Sequence, residues 1–359
     1  MILLEPGLCL PSQATVQELF AAARDANMVP NISLDPVLNS FLSLDSSAAL
    51  QHQYSSLQKS LSEEQQAALG LHLNQELGGA RVTHGGVGVV ALALSLLLDH
   101  VAQQVRGNSS GQAGQWSLTK PPKKIFGLAI SSRIGSIAHN YLRSIPGLAN
   151  DQDTMAETTE IYDTWLNLEM LDHYQRMTKK KRMSSVSMQQ WLTGAALHLH
   201  MRIHQVRLHS VPIGSVESLR LSYKTALNRL VQGYTIYLHR NIWESAASAP
   251  QRRSNGTCSS GWWPFNVSQA ETFNETSYGG ACETDEVASK EGLLVIELGR
   301  NVSHNVLHHP CESPAIQRAL VTRIINAQDL EHSRSFFLLS KKVLQQLLAQ
   351  EDAFELSPV

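Results

Sequence analysis

The stretch GGVGVVALALSLLLDHVAQQV, residues 85–105, decides the fold because it holds a nearly unbroken apolar run. As a helix, the run from Gly85 to Leu98 would span roughly 21 Å, which is short of the ~30 Å hydrocarbon core of a bilayer. An acid and a histidine follow it directly. We therefore predict a helix buried inside a large α-helical protein. The alternative is a hairpin of residues 85–101 and 125–142 that inserts into a membrane.

Helical periodicity continues on both sides of this run. Leucines recur at spacings of three and four through 46–77, as an amphipathic helix requires. Pro146 and Gly147 predict the end of a helix over 123–145. GLLVIEL at 292–298 is the one convincing strand. The other predicted helices cover 15–28, 85–105, 151–177, 186–209, 215–244, 314–327 and 330–350. The fold class is mainly α, a multi-helix globular bundle with at most one or two short strands and one irregular, disulfide-closed, glycosylated loop.

Composition shifts along the chain predict its organisation. Residues 1–106 form an N-terminal helical segment around the apolar core helix. A Gly-, Ser-, Gln- and Pro-rich linker follows at 107–122, and a second helical segment covers 123–248. The glycosylated, cysteine-bracketed loop is 249–290. The helical segment 291–359 is expected to pack back on the same core.

Charge and composition exclude some classes of partner. Hydrophobic residues make up 43% of the chain and charged residues 17%, which is typical of a globular protein rather than a disordered one. The formal net charge is −2. Because the chain has no basic excess to neutralise phosphates, we expect no nucleic-acid partner.

The asparagines indicate in which cellular compartment the protein is located. Several asparagines fit the acceptor pattern for N-glycosylation, where chance would give about two. The pattern is read only in the secretory lumen, and glycans require solvent. The sequence therefore predicts a secreted or secretory-lumen protein, with chance matches in a cytosolic chain as the alternative. The predicted sites are Asn31, Asn108, Asn255, Asn266, Asn274 and Asn301.

The first residues of the chain do not fit the predicted secretory location. It reads MILLEPGLCLPSQ, in which Glu5 and Pro6 interrupt the apolar run. A signal peptide needs a basic start and about 7–15 uninterrupted apolar residues. A mature or truncated start, unconventional export, and chance glycosylation patterns are the alternatives, and we favour an N-terminus that is missing or wrongly assigned.

The cysteines allow two disulfides. The four are Cys9, Cys258, Cys282 and Cys311, and none has C-x-x-C spacing. Three connectivities are possible. Proximity in sequence favours Cys258–Cys282, which would leave Cys9–Cys311. Four free, buried thiols in a cytosolic protein are the alternative.

The loop between Cys258 and Cys282 carries two tryptophans. Trp262, Trp263 and Phe265 could form a ligand-binding platform. However, sugars on this loop would hold most of it at the surface. We therefore favour the three aromatic side chains as anchors that pack the root of the loop onto the helices.

Histidines cluster in HLHMRIHQVRLH, residues 198–209. His200 and His204 are one helical turn apart on one face, which is the spacing of zinc sites. No glutamate lies between them as in H-E-x-x-H, and no nearby carboxylate offers a third ligand. A metal site at His200 and His204 thus competes with histidines satisfied by the fold. A third reading is a pH sensor, because histidines titrate between pH 5 and 8.

A basic run, TKKKRMSS at 178–185, follows the acidic stretch 151–172. In a secreted protein, Arg182 would end a proprotein-convertase site. In a cytosolic one the run would suggest nuclear import. The third reading is a solvated helix C-terminus, where basic residues complement the macrodipole.

The sequence favours binding over catalysis. It contains no G-x-S-x-G elbow, no phosphate-binding G-x-x-x-x-G-K-[ST] loop and no EF-hand spacing, and we expect no cofactor. We predict a secreted or lumenal helical glycoprotein that binds an unknown protein or lipid partner, without a transmembrane span in this chain. The alternatives are a membrane-active or lipid-binding protein using 85–101 and 125–142, and a metal-dependent enzyme at His200 and His204.

Overall fold

The computed structural model describes residues 12–83, 85–108, 123–180, 183–244, 293–297, 300–302, 313–339, 341–350 and 352–356. Within these ranges the chain forms twelve α-helices and seven strands of two to five residues. The helices are α1 Gln13–Asp25, α2 Pro36–Ser40, α3 Ser46–Lys59, α4 Glu63–Leu77, α5 Gly88–Asn108, α6 Arg133–Leu148, α7 Gln152–Thr178, α8 Ser185–Arg207, α9 Gly214–Asn241, α10 Ser313–Asn326, α11 Leu330–Phe336 and α12 Lys341–Ala349. The strands are β1 Arg81–Val82, β2 Lys124–Ile125, β3 Leu128–Ala129, β4 Ile242–Glu244, β5 Leu293–Glu297, β6 Arg300–Val302 and β7 Phe354–Glu355.

The mainly α class is confirmed, and the described strands outnumber the one or two expected. They form three small antiparallel sheets, β1–β7, β2–β3 and β4–β5–β6. The predicted strand at 292–298 is β5. The other strands are too short to show an alternating pattern over the four to eight residues that sequence reading needs.

The predicted helix 123–145 is wrong at both ends. It begins only at Arg133, because residues 123–130 form the β2–β3 hairpin, whose turn residues Phe126 and Gly127 have positive φ angles of 49° and 81°. It also continues through Pro146 to Leu148. A proline so near the end removes only one intrahelical hydrogen bond, which the last turn tolerates.

Two compact units divide the chain. The smaller unit comprises 1–28 and 242–320, and its described parts are α1, the three-stranded sheet and the start of α10. Within it, the amide of Gln317 donates to the carbonyl of Ile242 at the edge of that sheet. The larger unit comprises 29–241 and 321–359 and holds the long helices.

The core of the larger unit is built around α5 and α8. The helix α5 carries the apolar run and packs against α3, α4, α6 and α8. From Val87 to Leu94 the run is almost completely shielded from solvent. The helix α8 packs against α5, α6, α7 and α9, and its buried residues lie on all of its sides. A helix enclosed on all sides is expected to be apolar all round, and α8 departs from this by burying three histidines.

Glycine allows α8 to approach its neighbours closely. A Cβ atom built on Gly194 would lie 2.6 Å from Sδ of Met170 on α7 and 2.9 Å from Cγ2 of Ile134 on α6. Both distances are shorter than the van der Waals contact of such atoms permits. The helices α6, α7 and α8 can therefore pack this closely only because residue 194 has no side chain. The two polar sites described next lie along these helices.

Candidate functional site

A polar cleft of about 500 Å³ opens where α6 and α8 begin and α7 ends. Both helix starts are capped by serine. The hydroxyl of Ser132 accepts the Gly135 N–H at 3.1 Å, and that of Ser184 accepts the Ser187 N–H at 3.1 Å. The lining residues are Ser131, Ser132, Arg133, Ile134, Glu169, His173, Arg176, Met177, Ser187 and Gln190.

The charges of the cleft are balanced within the chain. Arg176 binds Glu169 at 2.6 Å and also pairs with Asp172. Arg133 lies 3.6 Å from Glu169 and 3.9 Å from Asp172. Among the described residues, two cations therefore face two carboxylates, and these charges leave no excess positive charge to select an anion.

His173 completes the wall of the cleft as a neutral ring. Its Nε2–H donates to the carbonyl of Ser187 at 2.9 Å, and its Nδ1 accepts from Arg176 at 3.3 Å. Burial lowers the pKa of His173, and the nearby charge of Arg176 lowers it further. The cleft offers hydroxyls and a fixed imidazole, which suit polar contacts better than charge recognition or nucleophilic attack.

A second polar group is buried between α7, α8 and α9. Nε2 of His198 lies 3.0 Å from Oδ1 of Asp163, and Nδ1 of His198 lies 2.5 Å from the hydroxyl of Tyr223. Arg202 holds the same carboxylate with Nε at 3.1 Å and Nη2 at 2.5 Å. We call Asp163, His198, Tyr223 and Arg202 the buried relay. These contacts satisfy its strong donors and acceptors, as a buried polar network requires.

The order carboxylate, imidazole, hydroxyl is that of a catalytic triad, but the chemistry differs. His198 is fully buried, so no substrate can reach it. Burial raises the pKa of Tyr223, and the nearby Asp163 charge raises it further, which keeps the phenol protonated. Burial would raise the pKa of Asp163, but hydrogen bonds from His198 and Arg202 outweigh it and leave that pKa below its ordinary value. The relay therefore joins α7, α8 and α9 through an ionised carboxylate.

The predicted metal pair lies in the core. His200 and His204 are both buried, and Nε2 of His200 donates to the carbonyl of Leu38 at 2.7 Å. Burial lowers the pKa of His200 to about 4. Within the described residues, no group of three or more His, Cys, Asp or Glu side chains is placed to hold a metal ion. Metal binding at this pair stays a prediction that needs a further ligand.

The outward side of α7 is the feature that sequence reading missed. Four large apolar side chains lie exposed there, Ile161, Trp165, Leu168 and Leu171, with exposed fractions of 43%, 51%, 61% and 54%. They belong to a stripe of exposed residues that we call the outer face of α7. It consists of Asp153, Glu157, Ile161, Thr164, Leu168, Leu171, Gln175 and Lys179, with Trp165 beside it.

The signal for this face was present in the sequence. The buried side of α7 follows spacings of three and four through Met155, Thr159, Asp163, Leu166, Met170, His173 and Met177. The exposed apolar residues form a second stripe at the same spacing. A surface helix needs only one apolar stripe to reach its own core, so a second one indicates another contact.

Most other predicted sites lie outside the described residues. These are Asn255, Asn266, Asn274, Cys9, Cys258, Cys282, Cys311, Arg182, Trp262, Trp263 and Phe265. Asn31 is described and exposed, as a glycan requires. Asn108 is the last residue of α5, and Asn301 lies in β6.

One described helix is long and apolar enough to cross a membrane, namely Gly88–Gly107, and 67% of its most apolar window is buried inside the protein. Core helices of soluble proteins have the same composition, so this property alone does not distinguish a core helix from a span. Comparisons of the chain with protein-family models, with curated proteins and with solved structures each found no match.

Proposed function

We propose that this protein is a secreted or lumenal helical glycoprotein that acts by binding a protein partner, and that the outer face of α7 is its contact surface. The observation that carries the proposal is the exposure of Ile161, Trp165, Leu168 and Leu171 on one side of one helix. Contiguous apolar surface on a soluble protein marks an interaction site more often than isolated apolar residues do.

Trp165 is the natural anchor of this surface. Its ring packs edge-on against Tyr162 at 5.1 Å between centroids, and Tyr162 contacts the buried Tyr141 at 5.4 Å. The exposed indole is therefore held from beneath by a row of aromatic rings. A large aromatic side chain that is already ordered loses little entropy on binding, which is the property of interface hot spots.

The face also has the form of a helix-docking surface. Its apolar centre is flanked by the acids Asp153 and Glu157 at one end and by Gln175 and Lys179 at the other. An apolar core with a polar rim is the usual anatomy of a protein interface. A lipid partner would favour a basic rim on both sides instead.

The proposed secretory location rests on the asparagines that fit the glycosylation pattern. Asn31 is exposed while side-chain amides hold the next two residues: Ile32 N–H donates to the buried Gln328 at 2.8 Å, and Ser33 N–H donates to the half-buried Gln189 at 3.0 Å. A sugar at Asn31 would thus project into solvent from a fixed backbone. This supports the glycoprotein assignment together with the excess of acceptor sequences.

Site-specific photo-crosslinking tests the contact surface. A photoreactive amino acid in place of Leu168 should give a discrete adduct with the bound partner when the secreted protein is irradiated. The same group in place of Glu64, an exposed acid on α4, is the control. Equal or absent adducts at the two positions would remove the outer face of α7 from the proposal.

Glycosidase treatment tests the address. The intact mass of the secreted protein should fall in steps that correspond to single glycans, because each occupied asparagine loses its sugar separately. A secreted chain that loses no mass, or a chain found only in the cytosol, would contradict the glycoprotein assignment.

A membrane-active protein is the second candidate, favoured by the length and apolarity of α5. Insertion would require α5 to leave its packing against α3, α4, α6 and α8, so it would have to follow a loss of tertiary structure. Liposome flotation at neutral and acidic pH separates the two candidates. Flotation at either pH supports insertion, and no flotation at both supports a core helix.

The metal-dependent enzyme remains a third hypothesis. Metal analysis of the purified protein and of the His200→Ala/His204→Ala double variant tests it directly. Stoichiometric zinc in the wild type that is lost in the variant would place a metal at the pair. Both variant and wild type should be checked by circular dichroism, because the two imidazoles are buried.

A further inference from the structure

The outer face of α7 has an internal symmetry. Ile161 and Leu171 lie five residues on either side of position 166, and Thr164 and Leu168 lie two residues on either side. Ile161 and Leu171 are alike in character, whereas the other pair matches a small threonine with a larger leucine. In an isologous two-fold interface each position faces the one equally far beyond the axis, so this arrangement brings Ile161 against an apolar side chain of the partner subunit twice.

The charged ends of the face are opposite rather than identical. Asp153 and Lys179 lie thirteen residues on either side of the same position, and Glu157 and Gln175 lie nine residues on either side. Two such helices in antiparallel order bring Asp153 towards Lys179 of the partner subunit twice. A parallel pair would instead place acid against acid and lysine against lysine, which is repulsive.

The spacing of the face suits helix-on-helix packing. The exposed positions follow each other at intervals of four, four, three, four, three, four and four residues. Intervals of three and four form the seam of an antiparallel helix pair that crosses at about 20°. At that angle the two helices diverge slowly, so the charged ends stay within the ~10 Å range of an ion pair in moderate salt.

We infer that the partner of this face is a second copy of the chain, bound through α7 against α7 in antiparallel order about a two-fold axis near residue 166. The inference rests on the proposed function, because it names the partner of the same surface. Trp165 lies at the level of the axis on one flank of the face, so the two indoles meet halfway along the contact, where large aromatic side chains act as hot spots.

The area of the face can be compared with the area that stable interfaces bury. A helix of 27 residues is about 40 Å long. A strip of that length and about 10 Å in width covers about 400 Å² per subunit, which is half of the ~800 Å² of a standard stable interface. Small interfaces belong to weak or transient complexes, so we expect a reversible dimer that dissociates on dilution.

Sedimentation velocity of the full chain over a concentration series tests the inference. The wild type should shift from monomer to dimer as its concentration rises towards its limit of solubility, as a weak reversible dimer requires. Trp165→Ala should stay monomeric. A folded wild type that remains monomeric throughout would overturn the inference.

Charge exchange tests the antiparallel order. Asp153→Lys and Lys179→Asp should each weaken the dimer about tenfold, since each turns two attractive contacts into repulsive ones. The double variant should dimerise as the wild type does, and so should an equimolar mixture of the two single variants. Glu64→Lys, which changes the same charge on α4, should have no effect.

The outcomes separate this inference from the proposed function. If both single variants dimerise like the wild type, or if the mixture gives no rescue, the dimer does not use this face and the inference fails. If the chain is monomeric while the group at position 168 links to a different protein, the inference fails and the proposed function stands. An adduct with the mass of two chains supports both. Circular dichroism of each variant confirms that the fold is intact.

Discussion

Asp163 on α7 and His198 on α8 are joined by a hydrogen bond of 3.0 Å inside the protein. Arg202, one turn along α8, holds the other oxygen of the same carboxylate. Two neighbouring helices are thus connected by one ionised group whose donors both come from the second helix. Because its geometry is specific, this contact adds a second constraint on the register of α7 and α8, beside the close approach at Gly194.

Asp163→Asn should destabilise the protein by about 3 kcal/mol, because breaking one partner of a buried ion pair leaves the other uncompensated. The asparagine amide keeps one acceptor oxygen, but its NH2 group would face a donor of Arg202 or His198, and the guanidinium would lose its counter-charge. Urea unfolding followed by circular dichroism measures the change.

Asp172→Asn is the matched control, because it makes the same substitution on the same helix. Asp172 is almost half exposed and pairs with Arg176 near the surface. Its loss should cost less than about 1 kcal/mol. Equal costs for the two variants would show that burial does not set the value of the Asp163 contact.

Acid should destabilise the protein through His200. Burial holds its pKa at about 4, below the ordinary value of 6.5, so the folded state keeps the ring neutral while the unfolded chain takes up a proton. Stability is therefore complete above pH 6.5 and falls as the pH drops from 6.5 to 4, by about 3 kcal/mol. Unfolding free energies measured across this range test the slope.

His200→Gln should flatten that slope. The glutamine amide can still donate to the carbonyl of Leu38, but it does not titrate. His52→Gln, at an exposed position on α3, is the control and should keep the wild-type slope. A slope that is unchanged in His200→Gln would mean that other groups cause the acid sensitivity.

Gly135→Ala should destabilise the start of α6 by about 2 kcal/mol, the usual cost of overpacking. A Cβ atom at this position would lie 2.0 Å from the backbone oxygen of Ala129, which cannot rotate away. Gly147→Ala lies in the same helix with open space around it. It should be neutral or stabilising by up to about 1 kcal/mol, since alanine favours helix more than glycine does. Thermal unfolding of both variants distinguishes the two effects.

Asn31→Gln should remove one glycan from the secreted protein without affecting its fold. The side chain at this position is exposed, and its loss leaves the bonds of Ile32 and Ser33 intact. Intact mass before and after glycosidase treatment should show one step fewer. Asn39→Gln, which lies outside any acceptor sequence, should leave the number of steps unchanged.

The long helices could be read from the sequence because their buried positions repeat every three or four residues over several turns. The predicted helix at 186–209 differs from α8 by at most two residues at either end. The β2–β3 hairpin could not be read, because each strand has two residues and the apolar ones also fit a helical face. What decides it is the left-handed turn at Phe126 and Gly127, which depends on tertiary packing.

Only part of the buried relay could be recognised from the sequence. His198 belongs to a noticeable histidine cluster and Tyr223 to an inward-facing stripe, but nothing local connects either to Asp163. Their meeting depends on the register between α7, α8 and α9, which a single sequence does not specify. The same limit applies to the two stripes of α7. Their spacing is readable, but which stripe is buried depends on where the neighbouring helices lie.

The ties between distant parts of the larger unit have a consequence for the time at which the protein can fold during synthesis. Ile32 is held by Gln328, 296 residues further along the chain, and Val82 of β1 pairs with Phe354 of β7. At roughly 5–20 residues per second, a ribosome needs roughly 15–60 s to deliver the later partner. The helices α6 and α8 that cover α5 are complete by residues 148 and 207, so α5 is covered well before these last contacts can form. The larger unit therefore completes its fold only after nearly the whole chain has been synthesised.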